Sequence, residues 1–300
     1  MLSGAGARAA QSGALLAVVL SATGACVGAT HYSARGHYQR PEAATPAQPQ
    51  PALLSAHVSR FGDEPPPPSQ TETERMLDAG EPAEDQLVLV FGQELDPLTI
   101  DPRGFGVIRA DGRRVRPKRA ILAPADEGDE NRSLTLLGNF GSEDAPPVAV
   151  HVIGGLHAET GEELAGLDAP ITAPTEPDRA LLVERLEPSS SRCPEARQVI
   201  RSYWTDILSS VGAADLAAVE LYLADGRVLA PVDFDDQAVR EEDGDALGPG
   251  RGDDNVLDLC VDADEAVVHV RFAAGIFTDL GGRPTAAVDL TLAALPAGRG

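Results

Sequence analysis

One short string occurs twice in this chain. Ala110-Asp-Gly-Arg113 returns as Ala224-Asp-Gly-Arg227, and its neighbours return with it in the same order. Phe91 and Leu95 come back as Trp204 and Leu208, Leu134 and Leu136 as Leu257 and Leu259, and Val150-His-Val152 as Val268-His-Val270. Pro117 has its counterpart in Pro231. Such a recurrence restricts the fold to a unit that can be built twice. Asp-Gly between apolar runs is a strong hairpin signal, because the turn needs positive φ and glycine adopts it without a steric cost. Around the first copy lie short apolar or alternating runs at Leu87 to Phe91, Phe105 to Ile108, Leu134 to Leu137 and Val148 to Ile153, broken by Gly, Pro and Asp. Short strands at this spacing predict an all-β sandwich in each copy.

Composition agrees with that class. The 24 Pro and 30 Gly in 300 residues work against long helices, and an aromatic content of 4% calls for an aliphatic core. The formal charge of -23 excludes a nucleic-acid binder, which needs clustered cations to neutralise phosphates. Lys118 is the single lysine; the other cations are arginines.

The chain divides into four parts. Residues 1–25 hold one base, Arg8, no acid, and an apolar run from Gly13 to Ala22. That run is too short to span a bilayer but suits the core of a signal peptide. Small residues Thr23-Gly24-Ala25 then lead to Cys26, which resembles a bacterial lipobox with Thr23 in place of the usual Leu. Lipidation at Cys26 is one expectation; cleavage after Ala29 is the competing one. Residues 26–84 read as a disordered Pro-rich tether, with Pro65 to Pro68 at its centre and apolar residues in no regular period. Such a segment cannot offset its ordering entropy, and polyproline is a stiff spacer. Residues 85–172 and 173–300 are the two sandwich units, the second carrying an acidic loop over 235–254.

Cysteine usage fits export. With Cys26 lipidated or removed, Cys193 and Cys260 remain as a pair. In an exported chain such a pair reads as a disulfide; two buried free thiols are the alternative.

The repeats resemble the S-layer-type bacterial Ig-like domain. The resemblance rests on an opening, Phe91-Gly-Gln-Glu-Leu-Asp-Pro97, and a closing, Val150-His-Val-Ile-Gly-Gly-Leu156 followed by Glu159, Gly161 and Leu164. In the second unit the closing is Val268-His-Val270, Gly275-Ile276, Asp279, Gly281-Gly282 and Pro284, while the opening, Trp204-Thr-Asp-Ile-Leu208, lacks the Asp-Pro. The resemblance covers roughly the last two thirds of the chain. It implies two Ig-like β-sandwiches and modular, mostly non-catalytic service in cell-envelope or secreted proteins.

Local motifs for catalysis are missing: no Gly-x-Ser-x-Gly elbow, no His-Glu-x-x-His, no phosphate loop. The chain is therefore expected not to be an enzyme and to need no cofactor, with calcium as the one candidate ion. Asp243, Asp245, Asp253 and Asp254 are its candidate ligands, since calcium takes six to eight oxygens; a solvated acidic loop is the simpler reading. Arg113, Arg114 and Arg116 crowd the first hairpin turn. They either guard an edge strand against aggregation or dock onto an acidic surface. His151 and His269 sit between inward valines and are expected to face solvent. Copper would want Met beside His, and Met76 is the one Met a mature chain keeps. Trp204, at the Phe91 position, reads as core.

The expected role is a non-enzymatic cell-envelope lipoprotein with a structural or adhesive task. Its partners would be an envelope protein or polysaccharide, and the membrane through the lipid anchor. The alternative is a calcium- or carbohydrate-binding module using the acidic loop.

Overall fold

The structure, a computed structural model, describes residues 52–61, 84–125, 130–189, 192–209, 211–235, 254–279 and 281–292. Its regular elements are strands, apart from three short 3-10 turns. The first half runs β1 Leu53–Arg60, β2 Asp85–Phe91, β3 Phe105–Arg109, β4 Arg114–Val115, β5 Arg119–Leu122, β6 Ser133–Gly138, β7 Pro147–Val152 and β8 Asp168–Thr172. The second half runs β9 Ala180–Leu186, β10 Gln198–Trp204, β11 Leu208–Ser209, β12 Val219–Leu223, β13 Val228–Leu229, β14 Asp233–Asp235, β15 Val256–Val261, β16 Val267–Phe272, β17 Thr278–Asp279 and β18 Val288–Thr291.

The two halves have the same topology. In the first, hydrogen-bonded order is β1-β2-β6-β5 on one side and β8-β7-β3-β4 on the other. In the second it is β9-β10-β15-β14 and β18-β16-β12-β13. The Asp-Gly turns join β3 to β4 and β12 to β13, with φ of 80° at Gly112 and 88° at Gly226. Asp111 and Asp225 each accept the backbone N–H of the arginine two residues on, at 3.0 Å. The openings close alike as well. Phe91 and Leu95 donate to the carbonyls of Arg132 and Asn131, and Trp204 and Leu208 to those of Asn255 and Asp254, at 2.7 to 2.9 Å.

Alternation supplies the two cores. Leu87, Leu89 and Phe91 of β2 pack with Phe105, Leu134, Leu136, Val150 and Val152 between the first pair of sheets. Ile200 and Trp204 of β10 pack with Leu221, Leu257, Leu259, Val270 and Phe272 between the second. The Trp204 ring meets Phe272 and Phe277 edge-on at 4.9 and 5.5 Å, a favourable aromatic geometry.

The tether reading fails at Leu53–Arg60. The segment is a strand, paired antiparallel with β2 and in parallel with β8 (Ala56 beside Ile171, His57 beside Thr172). Its composition looks unfit for burial because it buries Ser55, His57 and Arg60 beside Ala56 and Val58. β2 pairs along its length and β8 at Ala56 and His57, so its backbone groups find partners although half its side chains are polar. This parallel pair also joins the first half's two sheets into one eight-stranded sheet.

The halves pack through their outer faces. Every residue of β2 and of β10 is buried. Val88 and Val90, which point away from the first core, meet Tyr203, Val256 and Ala125. Polar pairs surround this patch. Arg201 is fully buried between Asp258 at 2.8 Å and Glu130 of the first half at 2.7 Å. Arg132 reaches Glu184 at 2.8 Å and lies 5.4 Å from the Tyr203 ring centre. Asn255 donates to the Ser133 hydroxyl at 2.8 Å. Burial disfavours the Arg201 cation, but its bonds to Asp258 and the nearby Glu130 charge outweigh this and keep it protonated.

Candidate functional site

The sequence singled out residues that the fold treats very differently. Cys193 and Cys260 form a disulfide with Cα atoms 5.4 Å apart, and Val199 packs beside it. Cys26, Asp243, Asp245 and Asp253 lie outside the described residues. Asp254, the fourth expected calcium ligand, is committed to the fold: it is buried and its Oδ1 accepts the backbone N–H of Val256. Asp254 and Asn255 stand where the first half has Asn131 and Arg132, their carbonyls accepting from Leu208 and Trp204.

Arg113, Arg114 and Arg116 are exposed, and Arg114 lies on β4, an edge strand of its sheet. Their basic neighbours are engaged: Lys118 and Arg119 hold the buried Glu84 at 2.7 and 2.6 Å, and Arg109 faces Asp111 at 3.3 Å. His269 corrects the expectation of a solvent-facing strand histidine. It is buried, 5.2 Å edge-on from Tyr222, with Nε2 3.2 Å from Asp289 of β18. The edge strand β18 covers it. His151 is half-buried between inward Val150 and Val152.

Sequence reasoning missed a different group. His57 of β1, Asp178 of the segment joining the halves, and Asp206 just after β10 bring three donor atoms within 4.8 Å of one another, all buried. His57 Nε2 lies 3.8 Å from Asp178 Oδ1 and 3.9 Å from Asp206 Oδ2. The outer atoms of the group are tied down. Thr172 Oγ1 sits 2.8 Å from His57 Nδ1. The Thr205 hydroxyl donates to Asp178 Oδ1 at 2.7 Å, and the Ile207 N–H donates to Asp206 Oδ1 at 2.9 Å. By contrast, His57 Nε2 and Asp178 Oδ2 are buried with no hydrogen-bond partner.

Burial raises Asp178 to about 7, and the neighbouring Asp206 charge adds to the rise. Burial likewise lifts Asp206 to about 6, against the Ile207 N–H and Ser59 hydroxyl that favour its ionised form. Burial lowers His57, with Asp178 opposing. A cluster with two carboxylates and one imidazole can hold a shared proton or a cation.

The three residues are far apart in the chain, so no spacing motif could reveal them. They meet because β1 carries His57 on its outward face, Ala56 and Val58 being turned into the core, and because the second half covers that face.

No family model matches the chain, and no curated protein matches it. Among solved structures it is similar to three chains of a bacterial S-layer protein, SbsC, described as "Crystal structure of the S-layer protein rSbsC(31-844)", "Crystal structure of the N-terminal part of the bacterial S-layer protein SbsC" and "Structure of surface layer protein SbsC, domains 1-6". Each match has 12% identity and a TM-score of 0.27 and covers 81% of this chain. The chain spans 25%, 44% and 25% of those three structures. At these values nothing about role or partner carries over from them.

Proposed function

We propose that this is an exported, non-enzymatic cell-envelope protein whose two Ig-like sandwiches of the S-layer type act as one stiff structural or adhesive module. A lipid on Cys26 would tether it to the membrane, and its partner would be an envelope protein or polysaccharide. The observation that carries the reading is the Cys193–Cys260 disulfide, because such bonds persist in oxidising compartments outside the cytosol. The mutual burial of β2 and β10 supports stiffness, since relative motion of the halves would expose Val88, Tyr203 and the Arg201 ion pairs. The exposed Arg113, Arg114 and Arg116 are the proposed docking patch for an acidic partner.

The test is the intact mass of the mature protein from membrane and soluble fractions, before and after reduction. A lipidated chain beginning at Cys26 with one disulfide supports the reading. Free thiols at Cys193 and Cys260 in native protein would overturn its exported part. Replacing the three arginines by alanine should weaken retention on isolated envelope; unchanged retention would remove the patch from the proposal.

A further inference from the structure

The unpartnered atoms of the buried cluster point to a ligand. The Thr172 hydroxyl has one proton, and it is directed to the Ala56 carbonyl at 3.2 Å. Towards His57 Nδ1, 2.8 Å away, Thr172 must then act as acceptor, so Nδ1 carries the imidazole proton. That leaves a bare lone pair on Nε2, buried, facing two carboxylates at 3.8 and 3.9 Å. A lone pair aimed at two acceptors is repulsive unless a proton or a cation lies between them, and gaps of 3.8 and 3.9 Å are too wide for a hydrogen bond to close. The nearby cation does not fill this role: Arg283 is bound to Asp279.

We propose that His57 Nε2, Asp178 and Asp206 form a zinc site that staples the first half, the connecting segment and the second half together. The donor set selects the ion class. One imidazole and two carboxylates suit zinc, which takes four nitrogen, sulfur or oxygen ligands, whereas calcium wants six to eight oxygens. Zinc with donors at about 2.1 Å spaces them roughly 3.4 Å apart in a tetrahedron, and the two carboxylate oxygens stand 3.8 and 3.9 Å from His57 Nε2, with all three donors within 4.8 Å. The partners of the ligands follow metal-site practice: Thr172 fixes the imidazole tautomer, Thr205 orients Asp178 and the Ile207 N–H orients Asp206. A divalent ion also balances the two carboxylates. The second half shows what the same place looks like without this demand. Its register counterpart of His57 is Glu184, whose oxygens are taken by the Tyr203 hydroxyl at 2.7 Å and by Arg132 at 2.8 Å.

The experiment uses the full chain, untagged and stripped with a chelator, titrated with zinc chloride while binding heat and thermal midpoint are followed. Saturable binding of one zinc per chain and a midpoint that climbs with zinc concentration are expected; calcium should move neither. His57→Gln should lower zinc affinity by tenfold or more, and Thr172→Val by about ten- to a hundredfold. The double variant Asp178→Asn with Asp206→Asn keeps the shape and removes both charges. It should fold, melt no lower than the stripped wild type, and lose the zinc-dependent rise. Absence of binding at about 100 µM zinc, or a midpoint rise that survives in the double variant, would overturn the site. The second outcome would assign the metal to other groups, among them His31 and His37 near the N-terminus.

Discussion

The two halves differ little inside and greatly outside. Their interiors repeat position by position: Phe91 and Trp204, Leu134 and Leu257, Leu136 and Leu259 are all fully buried. Their outer faces do not repeat. Where the first half has His57, Val88 and Thr135, the second has Glu184, Arg201 and Asp258. A sandwich core constrains side chains by shape, which both copies share. The outer faces are constrained by each other, because each copy is the other's environment, so identical faces would be under no pressure to fit. At the paired central strands one half therefore brings Val88 and Thr135 and the other the buried ion pair of Arg201 and Asp258. The parallel pairing of β1 with β8 exists only in the first half, whereas β9 and β18 of the second are not paired.

That asymmetry is open to attack at matched positions. Arg201→Ala should be the most damaging change, costing about 3–5 kcal/mol, because it strands Glu130 in the junction and leaves Asp258 only its pair with Arg192. The matched change, Val88→Ala, should cost about 2 kcal/mol, the loss of two methyl groups plus a small cavity. Urea unfolding of both variants checks the pair; equal losses would mean the buried ions carry no special weight. Reduction of Cys193–Cys260, a crosslink the first half lacks, comes next. Closing a loop between residues 67 apart typically stabilises by about 2–4 kcal/mol, so the reduced protein should unfold at correspondingly lower urea. The two halves should still unfold together, because the junction and not the crosslink joins them. A reduced protein that unfolds in two steps would refute that division of labour.

Much of this was readable in advance because the repeat exposes it. The matching strings placed the two turns, the inward residues of β2, β6, β7 and their copies, and the all-β class. The disulfide followed from cysteine parity, read on the expectation of export. The junction was not readable for a physical reason: β2 and β10 are buried on both faces, so Val88 and Arg201 look like ordinary outward residues until a second surface lies over them. His57 was lost with the segment around it. Ser55, His57 and Arg60 suggest solvent, and period 2 over so few residues is weak. The repeat held a usable signal all the same. The apolar run at Ala180–Leu186 precedes Trp204, so the first copy needs a strand ahead of Phe91, and Leu53–Arg60 supplies it. Asp178 and Asp206 had no such signal, being brought to His57 by the packing of the halves alone.

Glu94 offers a gentler contrast. Counted from Leu95 and Leu208, its counterpart is Ile207, which is buried and apolar. Burial pushes Glu94 up to about 7 from its usual 4.5, Arg132 opposing and Glu159 adding to the rise. A carboxyl raised in the folded state binds its proton more tightly there than in the unfolded chain. Stability tied to Glu94 is therefore greatest below about pH 4.5 and is lost as pH rises through about 7. Its carboxylate is about one third exposed, so the loss should be only about 1.5 kcal/mol after solvent screening. Glu94→Gln should flatten the wild-type fall in thermal midpoint between pH 5 and 7 by that amount, while Ile207→Val leaves the pH profile parallel to wild type. An unaltered slope in Glu94→Gln would show that the carboxyl ionises freely in the fold.

The smallest expected effects should also be the most alike. Gly112 and Gly226 occupy the same turn position at φ of 80° and 88°, and a Cβ at either would meet no atom within 4 Å. The cost of alanine there is then backbone strain alone, about 1 kcal/mol, with no packing term to separate the copies. Gly112→Ala and Gly226→Ala should lower stability equally, within a few tenths of a kcal/mol, and the double variant should show their sum, since the turns lie in different halves and share no partner. Thermal unfolding of the three variants measures this. A clear inequality would mean that one turn bears on something beyond its own hairpin. The exposed Arg113 and Arg114 beside Gly112 make the first turn the place to look.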